Sequence, residues 1–156
     1  MSGVRIGVIS DTHSYFDPAI PRLFAGVSHI LHAGDVGGAS ITSRLQQIAP
    51  LTAVLGNTDT FIPLKETELV ELAGRKFLLH HIVEPHALTD ALKTRISRAR
   101  PDVVVFGHTH KPCNEVIGGV LYFNPGYAGQ KRFNLPRSMA ILHCDEREIR
   151  AEFLPL

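Results

Sequence analysis

Residues 4–13 are Val4-Arg5-Ile6-Gly7-Val8-Ile9-Ser10-Asp11-Thr12-His13, a short aliphatic run that ends in a carboxylate, a hydroxyl group and an imidazole. A run of this length, stopped by polar residues, is typical of a buried parallel strand. Three further apolar runs, His29–Leu31, Leu51–Leu55 and Val103–Phe106, precede Gly34-Asp35, Gly56-Asn57-Thr58-Asp59 and Gly107-His108-Thr109-His110. Because loops that carry chemistry collect beyond the carboxyl ends of the strands in an open α/β sheet, we expect the four polar clusters to share one site.

The remaining segments predict helices and antiparallel strands around these runs. Helical spacing of apolar residues predicts helices over 18–27, 40–48 and 88–99. Alternating patterns and turns predict three strand pairs, 66–72 with 76–79, 115–117 with 120–123, and 139–144 with 149–153. The early part is βαβ-like and the late part antiparallel, so we expect an α/β fold in which a two-sheet mixed β sandwich is flanked by helices.

Composition favours one globular domain over residues 1–156. The chain is 44% hydrophobic, and 16 Lys plus Arg against 15 Asp plus Glu give a formal net charge of +1. No block of like charge stands out, so neither a membrane nor specific nucleic-acid binding is indicated. Cys113 and Cys144 lack CxxC spacing, which argues against a thiolate metal site and favours a reducing compartment. The first apolar run is too short for a signal sequence, so we expect a cytoplasmic protein, and a homodimer is left open.

The first two polar clusters offer carboxylates and an imidazole. Asp11 and His13 are two residues apart, so we expect both side chains on the same side of an extended segment that leaves the first strand. Asp35 follows Gly34, which permits a sharp exit from the second strand, and its two oxygens could bridge two cations about 3.5 to 4 Å apart. These residues predict part of a metal site.

The other two clusters offer neutral ligands. The amide oxygen of Asn57 suits hard cations such as Mn²⁺ or Mg²⁺. His108 and His110 could serve different metals if the loop turns tightly between them, which Gly107 makes plausible. The four clusters together predict a site for two divalent cations.

Taken in order, these clusters resemble the calcineurin-like metallophosphoesterase superfamily, specifically its small single-domain microbial phosphodiesterase branch. The resemblance covers nearly the whole chain and rests on Ser10-Asp11-Thr12-His13, His32-Ala33-Gly34-Asp35, Gly56-Asn57-Thr58-Asp59, Phe106-Gly107-His108-Thr109-His110-Lys111-Pro112 and Asn124-Pro125-Gly126. It implies two packed sheets with flanking helices, and hydrolysis of a phosphate ester by a hydroxide that a dinuclear metal centre activates. Bound cations lower the pKa of water to about 7, which supports such a mechanism on physical grounds.

The resemblance also implies a ligand set and a catalytic set. One metal would take Asp11, His13, Asp35 and His110, and the other would take Asp35, Asn57, His108 and a histidine at the end of the middle strand. The family usually has His-Gly at that strand end, whereas this chain has His80-His81. Alignment of the strand ends makes His80 the expected ligand and His81 the fallback. Asp11, His13, Asp35, Asn57 and His108 are the expected catalytic residues, and Mn²⁺ is the expected metal, although Fe, Ni and Zn suit the same ligands.

Further departures from the family concern the substrate. Many members have a histidine after the asparagine that protonates the departing alkoxide, and Thr58 cannot do this effectively at neutral pH. His81 or His86 could replace it from the loop after the middle strand. Tyr127 stands where the branch usually has a small hydroxyl residue and would narrow the substrate mouth. Asn57, His81 and Tyr127 are therefore the expected substrate-binding residues.

Each residue alone also has a simpler interpretation. Asp11 and Asp35 could be a helix cap and a turn residue, and Asn57 a turn residue. A strand-end His80 could satisfy its ring nitrogens on backbone groups. Taken together, these residues favour metal ligation. Without a metal, a cluster of acids and imidazoles beyond strand ends would cost free energy through desolvation and repulsion between like charges. Asp59 we expect to be a supporting carboxylate.

Two basic residues could be functional or merely solvated, and one histidine is expected to be structural. Lys131 and Arg132 could approach a substrate phosphate, and a solvated basic pair is an equal alternative. We expect His32 to be a packed, hydrogen-bonded histidine.

The function that these observations favour is that of a divalent-metal phosphodiesterase acting on a small phosphodiester or nucleotide-like substrate. A phosphomonoesterase is one alternative. Another is a metal-poor protein-interaction scaffold like the retromer subunit that shares this fold, and the nearly complete ligand set favours an enzyme over a scaffold.

Overall fold

The computed structural model describes residues 3–156, which form two five-stranded sheets and three helices. In chain order the strands are β1 (Val4–Ile9), β2 (His29–His32), β3 (Leu51–Ala53), β4 (Thr67–Leu72), β5 (Arg75–His80), β6 (Val103–Val105), β7 (Cys113–Ile117), β8 (Val120–Asn124), β9 (Ser138–Cys144) and β10 (Ile149–Pro155). The helices are α1 (Ile20–Leu23), α2 (Ala39–Gln46) and α3 (Asp90–Ala99). Within the described residues, no helix is both long enough and apolar enough to cross a membrane.

Both sheets mix parallel and antiparallel pairs. The first has the order β10-β9-β1-β2-β3, with β1, β2 and β3 parallel and β9 and β10 antiparallel. The second has the order β4-β5-β6-β8-β7, with a parallel centre of β5, β6 and β8 and antiparallel edges. This architecture confirms the predicted mixed two-sheet sandwich.

Three apolar clusters hold the layers together. Ile6 and Val8 of β1 pack between the sheets with Phe77 and Leu79 of β5. A second cluster joins the outer face of the first sheet to α1 and α2, and a third joins the outer face of the second sheet to α3. The strands therefore alternate between the central layer and an outer layer, as the two-residue period of a strand requires.

Several elements are shorter than their sequence patterns predict. The helix expected over 18–27 is the single turn α1, and Gly26 at φ 84° turns the chain soon after it. The strand expected over 51–55 ends at Ala53, and Val54 makes only an isolated bridge to Lys65. The helix α3 begins at Asp90 because the hydroxyl group of Thr89 accepts a hydrogen bond from the Leu92 amide and caps it.

Candidate metal centre

The loops that follow β1 and β2 run side by side and carry the first two clusters. The amide of Asp11 donates to the Gly34 carbonyl at 3.0 Å, and the amide of His13 donates to the Asp35 carbonyl at 2.9 Å. These bonds continue the parallel pairing of the strands into the loops. They place Asp11, His13 and Asp35 at the carboxyl edge of the first sheet, as the sequence pattern predicts.

The backbone in these loops is not extended. Asp11 has φ 57°, His13 has φ 46° and Asp35 has φ 54°. These values lie in the left-handed region, which residues other than glycine rarely adopt. His108 and His110 share this feature at φ 71° and 63°. The expectation that Asp11 and His13 lie on one side of an extended segment is therefore wrong in its geometry. Their side chains still converge, and backbone strain of this kind gathers at functional sites.

The Asp11 carboxylate is fully buried and anchored through one of its oxygens. Its Oδ2 accepts hydrogen bonds from the Ser10 hydroxyl group at 2.7 Å and from the His108 amide at 3.1 Å. Its Oδ1 has no hydrogen-bond donor among the described residues and lies 3.3 Å from His110 Nε2, 3.7 Å from His13 Nε2 and 3.8 Å from His81 Nε2. One oxygen thus holds the side chain in place and the other faces three imidazole nitrogens.

Asp35 repeats this arrangement. Its Oδ1 accepts a hydrogen bond from the Thr58 amide at 2.9 Å, while its Oδ2 lies 3.2 Å from His81 Nε2 and 3.7 Å from His13 Nε2. Burial alone would raise the pKa of Asp35, but the hydrogen bonds from Thr58 and the neighbouring imidazoles of His81 and His13 outweigh it and lower that pKa. Asp35 is therefore stabilised as a carboxylate between two histidines.

His81, and not His80, reaches these carboxylates. Along β5, Phe77 and Leu79 face the central layer, whereas Leu78 faces the outer layer with α3. This alternation turns His80 away, and its Nδ1 bonds to the Thr67 hydroxyl group at 2.8 Å on the neighbouring strand. His81 turns inward, is 3% exposed and directs Nε2 at Asp35. His81, the fallback, and not His80 therefore lies among the candidate ligand atoms, and its burial against Asp35 does not fit the substrate-binding role expected for it.

The second sheet contributes its remaining ligands from the loop after β6. His108 Nδ1 lies 3.1 Å from Asn57 Oδ1, and both side chains are exposed. Candidate ligand atoms form two groups in which all atoms lie within 4.8 Å of one another: Asp11, His13 and His110, and Asp35, His81 and His108. Every expected ligand except His80 thus lies in a group or beside one.

The arrangement fits divalent cations. Among the described residues, Asp11 Oδ1, His13 Nε2 and His81 Nε2 are buried polar atoms with no hydrogen-bond partner. His81 Nδ1 lies 2.7 Å from the Ala33 carbonyl oxygen, which can only accept, so Nδ1 donates there and Nε2 is the ring nitrogen that remains to bind a cation. Buried polar atoms that face one another without partners are costly, and a cation between them would satisfy them. Carboxylate oxygens and imidazole nitrogens suit Mn, Fe, Ni or Zn.

Glycine is required where the loops cross between the sheets. A Cβ atom on Gly107 would lie 2.6 Å from Asp11 Oδ2 and would overlap the Ser10 hydroxyl group. A Cβ atom on Gly34 would lie 2.7 Å from His81 Nδ1. Both glycines therefore permit the close approach that brings the carboxylates of the first sheet to the histidines of the second.

Buried polar residues behind the centre hold its loops. The Asp59 carboxylate accepts from the amides of Val36, Gly37 and Gly56 at 2.9 to 3.0 Å, which matches the expected supporting role. His32 is fully buried between the Thr12 hydroxyl group, at 3.0 Å from its Nε2, and the Gly34 amide, which donates to its Nδ1 at 3.1 Å. Burial lowers the pKa of His32 to about 3.

Tyr127 supports the histidines and does not line an open mouth. It is 1% exposed, its hydroxyl group donates to the Gln130 carbonyl at 2.8 Å, and its ring lies 4.7 Å from the His110 ring. The expected narrowing of a substrate mouth is therefore wrong, because the side chain is buried beneath His110. The guanidinium carbon of Arg132 lies 5.1 Å above the same ring, on the exposed side. Burial, with help from His13 and Arg132 and against the effect of Asp11, lowers the pKa of His110.

His86 lies outside both ligand groups. Its Nε2 is 3.0 Å from Glu115 Oε2 on β7, and its side chain is 71% exposed. Sequence reasoning missed the groups that anchor the ligands: the Ser10 hydroxyl group, the Ala33 carbonyl and the Thr58 amide. Ser10 lies in a quoted motif and could have been found, whereas backbone groups leave no signal in a sequence.

The fold and the two groups of carboxylates and imidazoles are compatible with a metal-binding protein, and comparisons with known proteins give the family. The calcineurin-like phosphoesterase superfamily domain matches residues 4–147. A probable metallophosphoesterase of Methanothermobacter thermautotrophicus is 34% identical over 157 residues, covering 96% of this chain and 91% of the relative. The chain therefore belongs to the calcineurin-like phosphoesterase superfamily.

Solved structures show the same fold. An archaeal phosphodiesterase aligns with a TM-score of 0.76 and 25% identity, over 97% of this chain and all of that one (100%). Vps29 of Entamoeba histolytica, solved with Zn²⁺, aligns with a TM-score of 0.73 and 24% identity, over 97% and 99% of the two chains. The second likeness concerns the fold alone.

Proposed function

We propose that this protein is a divalent-metal-dependent phosphodiesterase that hydrolyses a small phosphodiester or nucleotide-like ester at a dinuclear centre. The observation that carries the proposal is the convergence of Asp11 Oδ1, His13 Nε2 and His81 Nε2, which are buried and without hydrogen-bond partners. The family and the archaeal phosphodiesterase of similar fold support the reaction class.

The proposed ligand sets follow from the two groups. Asp11, His13 and His110 would hold one cation, and His81, His108 and Asn57 would hold the other. Asp35 would contribute to both, because its Oδ2 lies 3.7 Å from His13 Nε2 and 3.2 Å from His81 Nε2. Mn²⁺ is our first choice, and Fe, Ni and Zn suit the same donors.

Two cations held by these residues would supply acidity for activating water near neutral pH and positive charge for stabilising the phosphate oxygens. The residues of this chain hold and orient that chemistry. The anchored oxygens of Asp11 and Asp35 fix both carboxylates, and the exposed side chains of Asn57 and His108 leave one face open to the ester.

Arg132 is the proposed phosphate-positioning residue. Its guanidinium group lies over Tyr127, whose ring packs on His110, so a fixed positive charge lies beside the centre. Arg137 holds the base of this loop through bonds to the Gly129 carbonyl, at 2.7 Å, and to Asp17, at 2.6 Å. A guanidinium group held in this way can bind a non-bridging phosphate oxygen.

The leaving group must depart without a histidine at position 58. Thr58 uses its amide to hold Asp35, and His86 is paired with Glu115. Neither replacement that sequence reasoning considered, His81 or His86, is placed to protonate an alkoxide. We therefore expect esters with good leaving groups, such as aryl esters, to be hydrolysed fastest.

The test compares hydrolysis of bis(p-nitrophenyl) phosphate and p-nitrophenyl phosphate by protein that has been stripped with a chelator and refilled with Mn²⁺. His108→Ala serves as the control for the centre. Diesterase activity that Mn²⁺ restores, and that the control lacks, supports the proposal, whereas a faster monoester reaction favours a phosphomonoesterase. Folded wild-type protein that hydrolyses neither ester with any divalent metal would indicate a scaffold role. The cytoplasmic location and the homodimer stay predictions.

A further inference from the structure

A pocket of about 360 Å³ opens from the second ligand group. Its lining includes two proposed ligands, Asn57 and His81, and also Leu55, Gly56, Asp59, Glu66, His80 and Ile82. Because two of these residues are proposed ligands, an ester bound at the centre would lie beside this pocket. Its volume is in the range of small-molecule sites.

The apolar walls of the pocket do not serve the core. Neither Leu55 nor Ile82 belongs to the three apolar clusters that the described residues form. Ile82 follows the buried His81 directly and is 44% exposed, although it is a large aliphatic residue. The Ile82 side chain therefore lies beside the centre without packing into an apolar cluster of the described residues.

The polar part of the pocket favours an uncharged group. No lysine or arginine is found among the described residues that line it, whereas Glu66 adds an exposed carboxylate. His80 also lines the pocket, but its Nδ1 bonds to the Thr67 hydroxyl group and burial lowers its pKa. The Asp59 carboxylate, which also lines the pocket, is occupied by three backbone amides. A second anionic group would be repelled by the Glu66 carboxylate, while an N–H group on a ring could donate to it.

We infer that this pocket binds one ester substituent of the substrate and favours a flat, uncharged ring, an aryl group or a nucleobase, against Ile82 and Leu55. The inference rests on the proposed function, because the phosphate must bind at the ligand groups for its substituent to reach the pocket. It makes Ile82 a specificity residue that does not touch the metals.

The test measures binding of phenylphosphonate and methylphosphonate to the Mn²⁺-loaded protein by calorimetry. Both probes carry the same phosphonate group and differ only in the substituent. Ile82→Ser removes the apolar wall, and Val116→Ser, on β7 and 68% exposed, is the matched control outside the pocket. Loss of about two contacting methyl or methylene groups should weaken the preference for phenylphosphonate by about tenfold in Ile82→Ser and leave it unchanged in Val116→Ser.

Three outcomes overturn the inference: an unchanged preference in Ile82→Ser, an equal loss in Val116→Ser, or no binding of either probe. The melting temperature of each variant checks that it folds. Hydrolysis of bis(p-nitrophenyl) phosphate by the same wild-type preparation separates the two proposals. Absence of hydrolysis contradicts only the proposed phosphodiesterase function, because the affinities for the two phosphonates still measure which substituent the pocket prefers.

Discussion

His81 and Asp35 come from different sheets, and the Nε2 atom of His81 lies 3.2 Å from Oδ2 of Asp35. The other ring nitrogen of His81 donates to the Ala33 carbonyl, two residues before Asp35. A bond of this kind fixes both the orientation and the tautomer of a metal-binding histidine. The pair therefore joins the two sheets at the point where the proposed metals bind.

Replacement of His81 should test this assignment directly. We expect His81→Ala to weaken Mn²⁺ binding at the second position by about 100-fold or more, because it removes a proposed ligand. In other metal sites, loss of a group that merely supports a ligand already lowers the metal affinity by about 10- to 100-fold. The adjacent change His80→Ala is the matched control, and it should alter the affinity by less than about threefold. Calorimetric titration of the stripped protein measures both. Equal losses in the two variants would contradict the assignment.

Substitution at Gly107 should damage the centre without removing a ligand. In Gly107→Ala the new methyl group would lie 2.6 Å from Asp11 Oδ2, so the loop or the carboxylate must move. We expect a loss of about 1 to 3 kcal/mol in the free energy of unfolding and a clear loss of Mn²⁺ affinity. Gly38→Ala, where an added Cβ atom meets nothing within 4 Å, provides the control. Chemical denaturation and metal titration that show similar effects for both variants would reject this explanation.

Neutralising Arg132 should affect substrate binding more than the chemical step. We expect Arg132→Gln to raise KM for bis(p-nitrophenyl) phosphate by about tenfold or more, since a hydrogen bond to a charged group contributes about 1.5 to 3 kcal/mol. The neighbouring change Lys131→Gln should have a much smaller effect. Steady-state kinetics at several ionic strengths measures both parameters, and an unchanged KM in Arg132→Gln would show that the guanidinium group only packs on Tyr127.

Because of His32, the free energy of unfolding should fall as the pH is lowered. Burial lowers its pKa to about 3 in the folded protein, from 6.5 in the unfolded chain, so the unfolded chain takes up the proton first as the pH falls. The contribution of the neutral His32 to the free energy of unfolding is complete above pH 6.5 and is lost as the pH falls towards 3. Linkage predicts a loss of about 1.4 kcal/mol between pH 7.5 and pH 5.5 from this group.

The variant His32→Gln isolates this contribution, because an amide can donate to Thr12 and accept from Gly34 without titrating. Urea denaturation of metal-free protein at pH 7.5, 6.5 and 5.5 should show a shallower pH dependence for His32→Gln than for the wild type. His143→Gln, which changes a histidine paired with Glu152 at the surface, is the control. Parallel curves for the wild type and His32→Gln would contradict the prediction.

Metal should stabilise the folded protein by mass action. At a free Mn²⁺ concentration 100 times the dissociation constant, the free energy of unfolding should rise by about 2.7 kcal/mol for each equivalent site that only the folded chain forms. Thermal denaturation of stripped and refilled protein measures the effect, with Mg²⁺ as a cation that favours oxygen over imidazole ligands. A melting temperature that no divalent cation changes would argue against a metal centre.

Much of the site could be predicted from local patterns because strands and their exits are local features. The apolar runs before Asp11, Asp35, Asn57 and His108 indicated four strand ends, and parallel strands bring such ends to one edge. The left-handed backbone at Asp11 and His13 was not predicted, because it depends on hydrogen bonds to Gly34 and Asp35 in a neighbouring loop.

The choice between His80 and His81 shows where local reasoning fails. Neighbouring residues of a strand point to opposite faces, so an error of one residue exchanges the inward and outward side chains. The sequence shows two adjacent histidines but does not show which face of β5 is covered by the first sheet. That information comes from Phe77 and Leu79, which pack in the central layer.

The sequence by itself determined the mixed sandwich, because strand and helix periodicity are local properties. Its short motifs also carry the resemblance that indicated the family and most of the candidate ligands. Only the tertiary structure decided that His81 faces Asp35, that Tyr127 is buried under His110 and that a pocket walled by Ile82 adjoins the centre. The physical reason is that each of these relations joins residues distant in sequence, and packing between the layers sets their contacts.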